Sequence, residues 1–480
     1  MQRDRLVVGF DLDLTLVDSR AGFRATVDAV GRELGVRLPA AELAQRLGPP
    51  LDHLLAGYLP ADRMAEAVTR FRELYPDLAV GSTRGLPGAQ AALAAVREEH
   101  GEIVVVTGKY TANARRHIEH LGLDVDVVEG EVWGAGKAEV LLRHGCSVYV
   151  GDHVHDVAGA RAAGVASVSV LTGGCSREEL SAAGTDAVLA DLTEFPAWLE
   201  RYLLANRLDR LQTRLRAAGS VLVAFSGGAD SAFLLAAAVR ALGTEHVAAA
   251  TAYSPSLPVA EREPALSFAR SLGVKVFTPA TDELGREGYR ANAGDRCAFC
   301  KAELLDVLTP LARQEGYAVV ATGTNADDFR AGFRPGIAAA DSRGAATPLL
   351  DAGLTKAQIR RASADWALPT WDKPAAACLS SRVAYGIEIT AARLARVERA
   401  ESGAREALTR AGIDVRDLRV RDLGDTARIE VDRDAVPGAT ASAALRRAVL
   451  AAGFEQVEVD PLGFRSGSMN DLLAEPSRYR

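Results

Sequence analysis

The stretch Val221–Leu235, VLVAFSGGADSAFLL, decides how the second half of this chain is built. Val221 to Phe225 is a run of the kind that forms a buried strand. Ser226-Gly227-Gly228-Ala229-Asp230-Ser231 follows as a tight loop, and an apolar helix begins after it. Two glycines let the backbone wrap closely around an anion. The N–H groups at the helix start, with the helix dipole behind them, favour phosphate. The spelling is not the Walker type, which requires GxxxxGK[ST].

Composition bounds the rest. A chain of 480 residues predicts two or three domains. With 48% hydrophobic and 25% charged residues it has the make-up of a soluble globular protein. No apolar run is long enough to span a bilayer, and no signal peptide is apparent. The net charge of −7 gives no support for a nucleic-acid surface. Five cysteines fit a reducing cytoplasm rather than a disulfide framework. Of the eight histidines only His246 lies in the second half, so chemistry there must rely on carboxylates, cysteines, lysines and arginines.

The first half opens with a predicted strand, Leu6–Phe10, followed by Asp11-Leu12-Asp13-Leu14-Thr15. Two carboxylates at i and i+2 beyond a strand end can converge, one as nucleophile and one as proton shuttle. Thr107 follows the strand Ile103–Val106, Lys137 opens a helix, and Val148–Val150 leads into Gly151-Asp152-His153-Val154-His155-Asp156. This ordered set resembles the haloacid dehalogenase superfamily, in its branch similar to phosphoglycolate phosphatase, over roughly residues 4–200. The resemblance implies that Asp11 forms an aspartyl-phosphate and Asp13 acts as general acid and base. It implies that Thr107 and Lys137 hold phosphoryl oxygens, and that Asp152 and Asp156 hold Mg²⁺ alongside Asp11, with Asp13 counted in the metal set. Residues about 18–83 read as an inserted helical cap. His153 and His155 read as a solvated loop rather than a metal site.

Further motifs follow the glycine loop. Asp295-Arg296-Cys297-Ala298-Phe299-Cys300-Lys301 sets two cysteines three apart. Leu368–Arg382 contains Lys373 and Ala377-Cys378-Leu379-Ser380-Ser381-Arg382, and Gly463-Phe464-Arg465-Ser466-Gly467-Ser468 stands near the end. SGGxDS resembles the loop of the ATP pyrophosphatases, and the whole run, about residues 205–475, resembles the ATP-dependent sacrificial sulfur transferase family, LarE. The resemblance implies adenylation by ATP of a carboxylate on a pyridinium 3,5-biscarboxylic acid mononucleotide, with loss of pyrophosphate, then replacement of AMP by sulfur. Ser226, Gly227, Gly228, Asp230 and Ser231 would grip ATP, with Asp230 reaching Mg²⁺. Glu401, Arg419, Arg421 and Glu430 would be polar active-site residues, and Glu430 could equally face solvent. Arg465, Ser466 and Ser468 would bind a substrate phosphate.

Cys378 aligns with the family's sulfur-donating cysteine, and nearby Arg382 and Lys373 would favour its thiolate. Cys297, Cys300 and Cys378 together could ligate three irons of a [4Fe–4S] cluster and leave the fourth open. A zinc site would lack an obvious fourth ligand. Three unligated thiols, with Cys378 alone reactive and sacrificed, form the remaining alternative.

The expected architecture is α/β throughout. Residues 1–200 form a dehalogenase-type Rossmann-like domain, residues 205–394 a pyrophosphatase-loop domain, and residues 395–480 a small α+β subdomain through which the sulfur transferase part would form a homo-oligomer. The expected cofactors are ATP, Mg²⁺ and a [4Fe–4S] cluster. The expected partner is a small nucleotide, with neither nucleic acid nor membrane. A tRNA thiolase or an amidating synthetase shares the SGGxDS loop. The first half could also be a degraded phosphatase serving as a binding module.

Overall fold

Val7–Phe10, buried at every position, lies within a six-stranded sheet. The computed structural model describes residues 5–330, 335–374, 378–465 and 468–469. The sheet runs Val127–Glu129, Glu102–Val106, Val7–Phe10, Val148–Gly151, Ala166–Val170, Ala187–Leu189, with every neighbouring pair parallel. Parallel strands are covered on both faces, so these read as continuous apolar runs rather than as an alternation. Phe10 pairs with Val105 on one side and Val150 on the other. The residues that follow these strands, Asp11, Thr107 and Asp152, therefore emerge at one carboxyl edge.

An antiparallel pair, Val17–Asp18 with Arg84–Gly85, frames the helical insert. Between its two strands lie Arg20–Glu33, Ala40–Gln45, Leu51–Leu55 and Ala61–Ala79, which bury their own cluster around Phe23, Leu43, Leu55, Phe71 and Tyr75. The helix Phe195–Ala218 leads from one compact unit, Met1–Tyr202, into the next, Leu203–Arg480. It ends before Gly219, whose φ of +74° suits a residue without Cβ.

The second unit holds a parallel sheet in the order Lys275–Phe277, Val247–Ala250, Val221–Ala224, Val319–Thr322. A third sheet pairs Leu418–Asp422 antiparallel with Thr426–Val431, and the latter runs parallel to Gln456–Val459. The subdomain boundary expected at 394/395 falls inside the helix Ala391–Arg410. Its apolar cluster is distinct from that of the four-stranded sheet and also takes in Tyr289, Leu379 and Val383, so this core begins ahead of residue 395. No helix among the described residues is long and apolar enough to cross a membrane.

Candidate active sites

In the first unit Asp11, Asp152 and Asp156 are buried, and one oxygen from each lies within 4.8 Å of the others. Lys137, from the helix Gly136–Arg143, sends its ammonium among them: 2.9 Å to Asp11, 2.5 Å to Asp156 and 2.8 Å to the Tyr149 hydroxyl. Thr15 donates to Asp152 at 3.0 Å. One cation does not balance three carboxylates. Burial, only partly countered by Lys137, raises the Asp11 pKa to about 7. Burial and the charges of Asp156 and Asp11 push Asp152 well above the usual carboxylate range. A dry trio of hard oxygen donors with excess negative charge suits a small divalent cation.

Asp13 stands apart from that trio. Lys109 donates to both of its oxygens, at 2.8 and 2.9 Å, and Ser19 also donates to it. Burial opposes the Asp13 charge, but Lys109 and Ser19 outweigh it and hold the pKa below the ordinary value. Asp13, also expected in the metal set, keeps its carboxylate lone pairs on an ammonium and a hydroxyl here. Thr107 is buried, and its hydroxyl accepts from the Lys109 N–H at 3.2 Å.

In the second unit the glycine loop closes on itself. Ser226 and Ser231 hydroxyls meet at 3.1 Å, and Ser231 donates to the Gly228 carbonyl at 3.1 Å. Gly227 has φ +72°, and a Cβ there would stand 2.8 Å from the Ala265 methyl, so only glycine fits. The helix Ala229–Leu242 starts immediately after, with Asp230 in its first turn. Asp230 Oδ2 accepts from Asn325 at 3.3 Å, whereas Oδ1 is buried with no partner among the described residues. Burial raises the Asp230 pKa.

Cys297 and Cys300 lie three apart on the helix Arg296–Gln314, one face of one turn. Burial, then the charges of Cys378, Glu283 and Cys297, push the Cys300 thiol up, so the three sulfurs share one electrostatic neighbourhood. Buried Arg296 belongs to it as well. Burial works against its charge, but the thiols of Cys378 and Cys297 prevail and keep its pKa above the usual value.

The described residues fall into two chemistries, and the comparisons with known proteins divide likewise. A haloacid dehalogenase-like hydrolase profile matches residues 8–161, and a related hydrolase profile matches residues 135–195. Phosphoglycolate phosphatase of Cupriavidus necator is 31% identical over 216 residues, 41% of this chain and 93% of that protein. An uncharacterized protein of Synechocystis, slr1717, is 38% identical over 276 residues, 57% of this chain and 100% of that protein. Pyridinium-3,5-bisthiocarboxylic acid mononucleotide synthase of Lactiplantibacillus plantarum is 32% identical over 273 residues, 57% of this chain and 96% of that protein. The chain joins a haloacid dehalogenase-like phosphatase domain to a member of this synthase family. The synthase-type likeness is longer than the first unit and so extends into the second.

The synthase-type unit brings together most of the polar residues expected of it. Arg421 pairs with Glu430 at 2.6 Å, and Ser468 donates to Glu430 at 2.7 Å. Glu430 is 1% exposed, so the solvent-facing alternative does not hold. Arg419 stands across from Glu430 in register and over the Phe464 ring. Glu401 binds Arg382 at 2.9 Å and the Val420 N–H at 3.1 Å. Arg465 lines a cavity of about 340 Å³ with Arg428, Glu458 and Asp460, and Ser466 lies outside the described residues.

Two cations expected to favour a Cys378 thiolate have other work. Lys373 donates to the Gly227 carbonyl at 3.0 Å and pairs with Glu261 at 2.7 Å. Arg382 gives its charge to Glu401 and donates to the Cys378 carbonyl at 3.0 Å. Among residues that the sequence reading missed, Lys109 had a signal, since it lies two positions after Thr107 at the same strand end. His153 accepts from the His155 N–H, and the two rings stack beside Trp133, which fits a structural rather than a ligating role.

Proposed function

We propose that the second unit adenylates a carboxylate of pyridinium-3,5-biscarboxylic acid mononucleotide with ATP and replaces the adenylate with sulfur, and that the first hydrolyses a phosphomonoester. The observation that most supports the ATP half is Asp230 Oδ1, buried without a partner in the first turn of the helix behind Ser226–Ser231. A buried lone acceptor is costly unless a donor or cation completes it, and Mg²⁺ carried by ATP would do so. Ser226, Gly227, Gly228 and Ser231 cradle the phosphates by backbone and hydroxyl, and Lys373 fixes the loop through Gly227. Carboxylates resist sulfur attack because oxide leaves poorly, and adenylation supplies a leaving group.

Cys297, Cys300 and Cys378 form a donor set that suits a [4Fe–4S] cluster, which would supply an open iron for sulfide. The reading without a cluster makes Cys378 the donor, left as dehydroalanine. In the first unit Asp11, Asp152 and Asp156 suit Mg²⁺, which would neutralise the phosphoryl charge. Asp11 attacks phosphorus, Lys137 steadies the nucleophile, and Asp13 moves the proton to the leaving oxygen.

These readings are testable. Incubation with ATP and the biscarboxylate nucleotide is expected to give AMP and pyrophosphate, and stoichiometric ADP would overturn the adenylation reading. Anaerobically reconstituted protein is expected to hold about four irons with acid-labile sulfide. Dehydroalanine at position 378 in that protein, read by intact mass, would select the sacrificial route instead. Asp11→Asn is expected to abolish phosphatase turnover and spare sulfur transfer, and equal loss of both in folded protein would contradict two separate sites.

A further inference from the structure

A cavity of about 680 Å³ opens on Asp13 and Lys109 and reaches under the helices of the insert. Enclosed ligand sites run to about 300–1,000 Å³, so a two-carbon phosphate ester would leave most of this one to water. Its walls are mainly apolar, with Leu51, Leu54, Met64 and Val68 from the insert and Tyr110 from the loop after Thr107. Its described lining includes two cations, and each is already paired: Lys109 with Asp13 and Arg72 with Glu131 at 2.9 Å. Asp52 adds a third carboxylate, so negative charge exceeds positive. A leaving group that carries its own carboxylate would find no unmatched cation here. A flat ring with hydroxyls would find apolar walls for its faces, and Thr69 and Asn113 for its polar edges.

We propose that this cavity selects a nucleoside 5′-monophosphate as the substrate of the first unit's phosphatase. The proposal rests on the phosphatase reading above. Asp11 forms a bond to phosphorus as the bond to the 5′-oxygen breaks, and Asp13, ionised at rest and protonated from solvent before the step, gives that oxygen a proton. Water then cleaves the aspartyl-phosphate and returns a proton to Asp13. The sum is nucleotide plus water to nucleoside plus phosphate. Two nucleotides meet the same chain. AMP is what the adenylation chemistry would release, and the pyridinium mononucleotide is the other source. The surplus of carboxylates favours AMP, which lacks acidic groups beyond its phosphate.

The test is phosphate release by the full chain with Mg²⁺ from AMP, the pyridinium biscarboxylate mononucleotide, phosphoglycolate and acetyl phosphate. The expected result is kcat/KM for AMP at least tenfold above that for phosphoglycolate and above that for the pyridinium nucleotide. Met64→Trp, which fills the cavity, is expected to lower the ratio of AMP to acetyl phosphate turnover at least tenfold. Preference for the pyridinium nucleotide, with its two carboxylates, over AMP would overturn the selection by charge. Phosphoglycolate turned over as well as or better than both nucleotides would overturn the proposal alone. Failure on all four substrates, acetyl phosphate included, would overturn it together with the phosphatase reading.

Discussion

Lys109 holds both carboxylate oxygens of Asp13, at 2.8 and 2.9 Å, so the expected proton shuttle of the first unit rests as half of a buried ion pair. Lys109 lowers the Asp13 pKa in the folded state. This contribution to stability is full above the unfolded carboxylate pKa and is lost as pH falls through the depressed folded value. In Lys109→Met the same carboxylate is buried without its cation and its folded pKa rises. Removing one partner of a buried pair costs about 3–5 kcal/mol when the other stays charged. The variant is therefore expected to be less stable than wild type, with a larger deficit at pH 7 than at pH 5, where Asp13 takes up a proton more readily. Urea denaturation at the two pH values reads this, and an equal deficit would contradict it.

Asp11 gives a metal prediction. Its pKa is raised to about 7, chiefly by burial, so the metal-free folded state holds a proton that the unfolded chain releases near 4. Metal-free stability should then fall as pH rises from about 4 through 7. Mg²⁺ competes with that proton, so its affinity should increase over the same range. The rise in Tm on adding Mg²⁺ is expected to be larger at pH 8 than at pH 5.5, and equal shifts would argue against a shared site for proton and metal.

Asp230→Asn separates function from stability. Its Oδ1 is buried and burial opposes the charge, so an amide of the same shape should leave Tm unchanged or raise it. Pyrophosphate release from ATP should drop by about 100-fold, the scale of one lost charge-stabilising group. Phosphatase turnover should stay as in wild type. Pyrophosphate and phosphate assays on the same preparation check both halves.

Arg421 and Glu430 make a buried pair at 2.6 Å, 6% and 1% exposed. Glu430→Gln should cost about 3 kcal/mol or more, because it leaves a guanidinium buried without its anion. Replacing both residues by Met should recover most of that stability while sulfur transfer stays lost. A double mutant no more stable than Glu430→Gln would show that the pair is worth more than its desolvation cost.

The chemistry that depends on short sequence spacing was legible. Asp11 and Asp13 follow one strand, Lys137 enters a helix, and the loop Ser226–Ser231 links strand to helix. Parallel sheets force such strand ends to one edge, so Asp11, Thr107 and Asp152 leave the sheet together on one side. What escaped reading depends on partners far along the chain. Lys373 looked like a neighbour for Cys378, yet its oxygen partner, Gly227, stands 146 residues away. Lys109 went unread because its partner, Asp13, lies 96 residues earlier. The supposed boundary at 394/395 fell inside a helix because Ala391–Arg410 is charged on its exposed face and anchored through Leu394, Val397 and Ala400, a pattern that marks no break.

The pairing of Val17 with Gly85 and of Asp18 with Arg84 sets the entrance and exit of the insert side by side. A segment tethered at one doorway can be exchanged as a cassette without retuning the sheet that bears Asp11. Grafting a relative's insert between those two strands should therefore change which esters are accepted while the nucleophile, its lysine and its trio of acids stay in register. Substrate choice and bond cleavage in this half of the chain can thus diverge independently, each on its own stretch of sequence.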